Sequence, residues 1–148
     1  MSTTASFIIK GIEEKIFFSH DGYSLEDDLE GFVKKYSDLS QFKHILPSII
    51  CLLENKDLLR ELESECKDDF RNHIFSADDF VDRKVKINKR FSAIDEQLED
   101  LGNEILQYAR LAPERWHKNV EYIYEYDFDN KKFVKTKVNE GIVLEKVL

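Results

Sequence analysis

Cysteine, proline and glycine are all scarce in this chain of 148 residues. The two cysteines, Cys51 and Cys66, are too far apart for a C-x-x-C motif, and both fall at apolar positions of helical patterns. This spacing argues against a disulfide framework and predicts buried free thiols in a reducing cytoplasm. Two prolines and five glycines leave little material for long irregular loops.

Long apolar runs and recognisable targeting or catalytic motifs are also missing. No run of about 18 apolar residues occurs, so we expect no transmembrane helix. The N-terminal segment MSTTASFIIK has neither the basic start nor the apolar stretch of a signal peptide, which favours a cytoplasmic protein. Because no Gly-rich phosphate loop, Gly-x-Ser-x-Gly or His-Glu-x-x-His motif is present, we predict no cofactor and no enzymatic activity.

Aromatic and aliphatic residues are abundant by comparison. The apolar fraction is 42%, with 11 Phe, 6 Tyr and one Trp, which indicates a globular protein rather than a disordered one. A chain of this length fits a single domain over residues 1–148.

The negative charge is concentrated in the first half of the chain. Residues 1–80 contain 9 Lys and Arg against 17 Asp and Glu, a net charge of −8, whereas residues 81–148 contain 13 of each. Such a field repels nucleic acid and attracts basic protein surfaces, although it also serves plain solubility. We therefore expect a protein partner with a basic surface and no direct binding to nucleic acid.

Strand patterns occur at both ends of the chain. Residues 5–10 and 15–19 predict an N-terminal hairpin, and residues 120–126 and 133–138 predict a second hairpin around a turn at 127–132. The segment from Gly141 to Leu144 can add a short strand. Together they predict one antiparallel sheet packed against helices, an α+β fold of two layers.

The middle of the chain carries helical patterns. Ser24 and Asp27 resemble a capping box before a helix with one apolar face, in which Gly31 suggests a close approach. Pro47 suits the first turn of a second helical region, residues 45–72, which is either one helix or two with a break near 55–57.

Ser76 and Asp79 predict the start of a long helix near 80–112. A heptad-like seam runs along it and consists of Ile87, Phe91, Ile94, Leu98, Leu101, Ile105, Tyr108 and Ala112. The seam either packs on the other helices of the chain or forms a homodimer.

The segment His20-Asp21-Gly22-Tyr23 is the first candidate site. His20 and Asp21 are types that can work as an acid–base pair, but adjacent residues of an extended segment point to opposite faces. Asp-Gly is also a strong turn signal. The segment is thus either a structural turn or a functional surface on which His20, Asp21 and Tyr23 contact a partner. A catalytic use of these three residues requires a further polar residue such as His117.

An acidic centre follows this turn and consists of Glu26, Asp27, Asp28 and Glu30. These residues complement the positive N-terminus of the predicted helix. They are also the best candidates for contact with a basic partner.

Three tyrosines, Tyr122, Tyr124 and Tyr126, share one face of a predicted strand. They either form a contact surface or cover the helix layer.

Metal sites are not expected. Glu114 and His117 give a single Glu-x-x-His pair, whereas a di-iron bundle needs two such pairs. Residues 127–138 lack the Gly and the Glu of a calcium loop. The one basic cluster, at 83–90, fits a solvated helix face, although it could touch phosphate.

Two segments resemble small phage and bacterial proteins of unknown function. In that family a short hairpin ends in a His-x-Asp-Gly-Tyr element before a helix, as residues 6–10 and 15–23 do here. Residues 121–127 look like its C-terminal strand pair. This chain departs from the pattern because one residue, usually aromatic, is absent between His20 and Asp21. The resemblance implies a phage or mobile-element origin and no mechanism.

These observations favour a non-enzymatic acidic inhibitor. A phage-encoded protein of this kind would be directed at a host nuclease or defence complex, in the manner of an anti-CRISPR protein. An immunity or antitoxin protein that neutralises a basic toxin would use the same physics. A small enzyme using His20, Asp21 and Tyr23 is the third alternative.

Overall fold

The computed structural model describes residues 3–148 and confirms an α+β fold. The strands are β1 (Ala5–Ile9), β2 (Ile16–Phe18), β3 (Ala109–Arg110), β4 (Tyr122–Asp127), β5 (Lys132–Lys137) and β6 (Gly141–Val147). The helices are α1 (Glu26–Val33), α2 (Leu39–Arg71), α3 (Ala77–Leu101) and α4 (Glu114–His117), and 3₁₀ turns span Gly22–Ser24 and Glu104–Tyr108.

Both predicted hairpins belong to one six-stranded sheet with the order β3-β2-β1-β4-β5-β6. The sheet is mixed, whereas the sequence predicted a wholly antiparallel one. β1 and β4 run parallel, with Ala5 opposite Tyr122 and Ile9 opposite Tyr126. The helices between the two hairpins form a long crossover connection, which is what a parallel pair requires. The N- and C-terminal parts of the chain therefore meet at the centre of the sheet.

Residues 45–71 form part of one continuous helix, so the predicted break near 55–57 is absent. α2 begins earlier than predicted, because the Asp38 carboxylate accepts a hydrogen bond from the Gln41 amide at 2.8 Å. Pro47 consequently lies inside the helix rather than in its first turn. Lys56 lies in the polar middle that suggested a break, but its side chain is buried between helices.

The predicted start of α3 is confirmed, since the Ser76 side chain accepts a hydrogen bond from the Asp79 amide. The predicted end is wrong: the helix stops at Leu101 instead of continuing to 112. Gly102 leaves helical geometry, and a Cβ there would lie 2.4 Å from Leu106 Cδ1. The chain then turns into the short 3₁₀ segment, whose start is capped by the Asn103 side chain.

The seam therefore packs within the chain over its helical part. Ile87 and Leu98 are buried, and α2 and α3 lie side by side as an antiparallel pair. Tyr108, the seventh residue of the seam, is 67% exposed beyond the end of α3. A homodimer that uses the seam itself as its interface would require Ile87 and Leu98 to leave the core of this chain.

The thiols differ in their surroundings. Cys66 is buried as predicted, but Cys51 is exposed on α2, contrary to the prediction. Ile49 and Leu53 of α2 face the core. Cys51 is two residues from each of them along the helix, so its side chain points away from the core.

The main core lies between the sheet and helices α1, α2 and α3. Aromatic rings connect the layers: Phe7 of β1 lies 6.2 Å from Phe32 of α1, and Phe42 of α2 lies 5.5 Å from Phe128. Within residues 3–148, no helix has the length and hydropathy needed to cross a bilayer.

The segment around α4 covers one end of the opposite face of the sheet. Ser6 Oγ and His117 Nδ1 are hydrogen-bonded at 2.6 Å, and the Phe17 ring lies 5.5 Å from Trp116. Burial lowers the pKa of the His117 imidazole, Lys15 acts in the same direction, and Glu114 opposes both. His117 is thus a buried part of the fold.

This lowered pKa predicts an acid-sensitive stability. The unfolded chain takes up a proton on His117 at a higher pH than the folded chain does. The free energy of unfolding therefore keeps its full value above the ordinary histidine pKa of about 6.5 and decreases as the pH falls below it. In urea unfolding, the H117N variant should lose less stability than the wild type between about pH 7.5 and pH 5.5. Parallel curves for the two proteins would contradict this assignment.

Candidate contact surface at the β2–α1 turn

The segment between β2 and α1 is a tight turn, as its Asp-Gly sequence suggested. Asp21 adopts a left-handed conformation with φ of 57°, and a 3₁₀ turn follows at Gly22–Ser24. Ser24 does not cap α1, contrary to the prediction. Its hydroxyl donates to the Asp21 carbonyl at 3.3 Å, and α1 begins after Leu25 without a side-chain cap. The demands of the turn therefore override the local capping pattern.

Gly22 is pressed against the start of β1. Its amide donates to the Thr3 carbonyl at 3.0 Å, and the neighbouring Tyr23 amide donates to Thr3 Oγ1 at 3.1 Å. A Cβ on residue 22 would lie 2.7 Å from both the carbonyl carbon and the oxygen of Thr4. Only glycine allows this approach of two backbones.

The hydroxyl of Tyr124, a residue of β4, holds the turn by two hydrogen bonds. It donates to the Gly22 carbonyl and accepts a hydrogen bond from the Leu25 amide at 3.2 Å. Burial raises the pKa of Tyr124 far above its usual range, because the phenolate would lose its hydration there. The hydroxyl accordingly keeps its proton and satisfies two backbone groups of the turn.

Lys135 of β5 holds the same turn from the side. Its ammonium donates to the Tyr23 carbonyl, forms an ion pair with Glu26 at 3.1 Å, and lies 5.2 Å from the centre of the Tyr122 ring. Partial burial raises the pKa of Glu26, but hydrogen bonds and the Lys135 charge outweigh it, so the pKa is lowered overall. A strand more than a hundred residues away in sequence thus orients the turn.

Only two of the four residues of the predicted acidic centre can contact a partner. Glu26 is paired with Lys135, and the largely buried Glu30 is paired with Lys146 of β6. Both lysines belong to the charge-balanced second half of the chain, and the sheet brings them beside α1. The prediction that Glu26 and Glu30 contact a basic partner is therefore wrong, because both carboxylates are paired with lysines of the same chain.

The turn and the first turn of α1 expose six side chains, those of His20, Asp21, Tyr23, Ser24, Asp27 and Asp28. Four of them, Asp21, Tyr23, Asp27 and Asp28, are acidic or tyrosine side chains that suit contact with a basic partner. The three carboxylates form no ion pair with any residue of 3–148, and Tyr23 is 51% exposed. We call these four residues the turn surface.

A cleft of about 460 Å³ opens beside the turn surface. His20, Asp21 and Asp28 line it together with Arg60 and Arg110. Asp57 binds both arginines, with its Oδ1 3.9 Å from Arg110 Nη2. The exposed Tyr108 ring also lines the cleft. The lining of this cleft therefore combines carboxylates with two arginines.

The three tyrosines of β4 cover the helix layer. Tyr124 is fully buried, Tyr126 is 5% exposed, and Tyr122 is partly covered. Of the two alternatives for this strand face, the structure favours the core over a contact surface. Tyr124 and Tyr126 are therefore not partner-binding residues, contrary to the prediction, because a partner cannot reach their buried rings. For Tyr122, which is only partly covered, partner binding stays a prediction.

The groups of the catalytic alternative do not all come together. His20 and Asp21 line the cleft, but Tyr23 does not, and His117 is buried against Ser6 and Phe17. Among residues 3–148, no group of three or more potential ligands of the His, Cys, Asp and Glu types could hold a metal ion.

Sequence reasoning missed the residues that hold the turn and complete the cleft. Lys135 gave one signal: it follows Phe133 by two residues, so it occupies an inward position of an alternating strand. A lysine there requires a buried partner. Arg60 and Arg110 gave no comparable signal, because they come from elements far apart in sequence.

Comparison with known proteins identifies no relative of this chain: no family model, curated protein or solved structure matches it. The resemblance to small phage and bacterial proteins remains a prediction.

Proposed function

We propose that this chain is a non-enzymatic protein-binding domain that inhibits its partner, and that the turn surface makes the contact. The main support is the backbone turn that Thr3, Tyr124 and Lys135 hold in place by hydrogen bonds. This turn leaves the four residues of the turn surface exposed. A contact segment that is already ordered loses little entropy on binding.

The charges of the turn surface support a basic partner. Asp21, Asp27 and Asp28 have no ion-pair partner among residues 3–148, although Lys146 attracts Asp27 from a longer distance. Such carboxylates attract lysine and arginine and speed the encounter with a positively charged surface. Tyr23 and Tyr108 add aromatic side chains of the type that contributes strongly at interfaces.

The partner that fits this chemistry is a protein with a basic surface, such as the nucleic-acid channel of a host nuclease or defence complex. Occupation of that channel would exclude its substrate. An immunity protein that neutralises a basic toxin would use the same surface, and a toxin gene next to the gene for this chain would favour that second alternative.

Neutralising variants test the proposal without damaging the fold. The D21N/D27N/D28N variant removes three charges, and Asn tolerates the left-handed conformation at position 21. The matched control E13Q/E14Q/E96Q removes three exposed carboxylates elsewhere. Each tagged protein is used to capture partners from a host lysate, which are then identified by mass spectrometry.

We expect the wild type and the control to retain the same partner and the D21N/D27N/D28N variant to lose most of it. Inhibition of the purified partner should follow the same order. Equal retention by both variants would refute the turn surface as the contact site. A captured partner with an acidic surface would contradict the proposed chemistry.

A further inference from the structure

The helical pair α2–α3 carries an apolar groove on its surface that the proposed function does not use. Leu58 and Leu62 of α2 are 62% and 41% exposed, and together with Ala93 and Ile94 of α3 they line a groove of about 420 Å³. A second depression, of about 220 Å³, shares Leu62 and Arg90 with the first and continues along the pair. Exposed leucines in a continuous groove are typical of an interaction site.

The two walls of this groove carry opposite charges. Lys86 and Arg90 of α3 line one wall. Glu61 and Glu65 are exposed on α2, three residues after Leu58 and Leu62 respectively, which places them on the outer side of these leucines. None of the four charged side chains forms an ion pair within the described range 3–148.

The opposite charges also lie at the same height along the helical pair. Leu62 and Cys66 of α2 line the second depression together with Lys86 and Arg90 of α3. Glu61 and Glu65 are their sequence neighbours, so one acidic and one basic wall flank the same stretch of the groove.

We propose that this groove is the interface of a homodimer in which α2 of each copy packs on α3 of the other. A twofold axis parallel to the helices places the acidic wall of one copy against the basic wall of the second copy, twice in one interface. An axis perpendicular to the helices would oppose α2 with α2 and bring like charges together. The charge layout selects the first arrangement, which gives a four-helix bundle around Leu58 and Leu62.

A charge-exchange experiment tests this arrangement. Variant one, E61R/E65R, makes both walls basic, and variant two, K86E/R90E, makes both walls acidic. Sedimentation velocity of the wild type should show a dimer that forms with rising concentration across the micromolar range. Each variant alone should dimerise about 100-fold more weakly, because both of its contacts become repulsive.

An equimolar mixture of the two variants should restore the dimer, since both contacts are again between opposite charges. The single chain with all four substitutions should dimerise as well, and circular dichroism checks that each variant is folded. Exposed Leu58 provides an independent variant, because L58D should abolish the dimer with little effect on the monomer.

Three results would overturn the proposal. They are a wild type that stays monomeric at the highest concentration, a dimer that survives L58D, and a mixture that fails to restore association. A monomeric wild type would mean that the groove is left to a different occupant or to none. The turn surface lies outside the groove residues, so the dimer and the partner-binding proposal fail separately.

Discussion

Replacing Gly22 with alanine should destabilise the protein by about 3 kcal/mol, at the upper end of the usual effect of overpacking. The added methyl group would lie 2.7 Å from the carbonyl carbon and oxygen of Thr4. Thr4 cannot recede easily, because its carbonyl accepts the Tyr122 amide at 3.1 Å at the centre of the sheet. Urea unfolding of G22A, monitored by circular dichroism, measures the loss.

Gly31 provides the control for this substitution. A Cβ at Gly31 would lie 3.2 Å from Asn103 Nδ2, which donates to the Asp28 carbonyl at 2.7 Å, so this contact is looser than the backbone contact at Gly22. Alanine also favours the α1 helix by about 1 kcal/mol, so G31A should change stability little in either direction. Equal losses for G22A and G31A would show that the approach of the turn to β1 is not the cause.

Replacing Lys56 with methionine should cost about 3 kcal/mol. Lys56 is only 7% exposed, and its ammonium pairs with Asp95 of α3 and donates to the Gln107 carbonyl at 2.6 Å. Methionine fills the space but leaves the carboxylate and the carbonyl without their donor. Urea unfolding again gives the free energy, and K67M on the same helix is the control, because Lys67 forms only a surface pair with Glu63.

The double variant K56M/D95L separates the lost charge from the lost packing. An apolar pair in place of an ion pair is often neutral or stabilising, so the double variant should recover at least half of the loss. If K56M is as stable as the wild type, the contacts of Lys56 with α3 and with the 3₁₀ segment do not stabilise the fold.

The sequence predicted correctly those features that depend on neighbouring residues. The Ser76 cap, the turn at Asp21 and Gly22 and the two hairpins all follow from short patterns, and the structure contains each of them. The end of α3 was mispredicted because the heptad spacing continues past Gly102. Ile105 and Tyr108 satisfy the spacing by chance while they belong to a 3₁₀ turn, and Ala112 follows β3 outside any helix or strand.

The pairing of charges was beyond reach of the sequence. Lys135 and Lys146 neutralise Glu26 and Glu30 only because β1 and β4 pair in parallel and carry β5 and β6 toward α1. The net charges of residues 1–80 and 81–148 do not reveal that lysines of the second half pair with glutamates of the first. The acidic surface that remains is smaller than predicted, and it consists of Asp21 in the turn and of Asp27 and Asp28 in the first turn of α1.

The central claim is that the turn is ordered before any partner arrives, and amide hydrogen exchange of the free protein tests it most directly. The amides of Gly22, Tyr23 and Leu25 have acceptors in Thr3 and Tyr124, so they should exchange as slowly as the amides of β1. In the Y124F variant, Leu25 should lose this protection, whereas Y126F should retain it. Fast exchange of all three amides in the wild type, at the rate of an unfolded chain, would contradict a preformed contact surface.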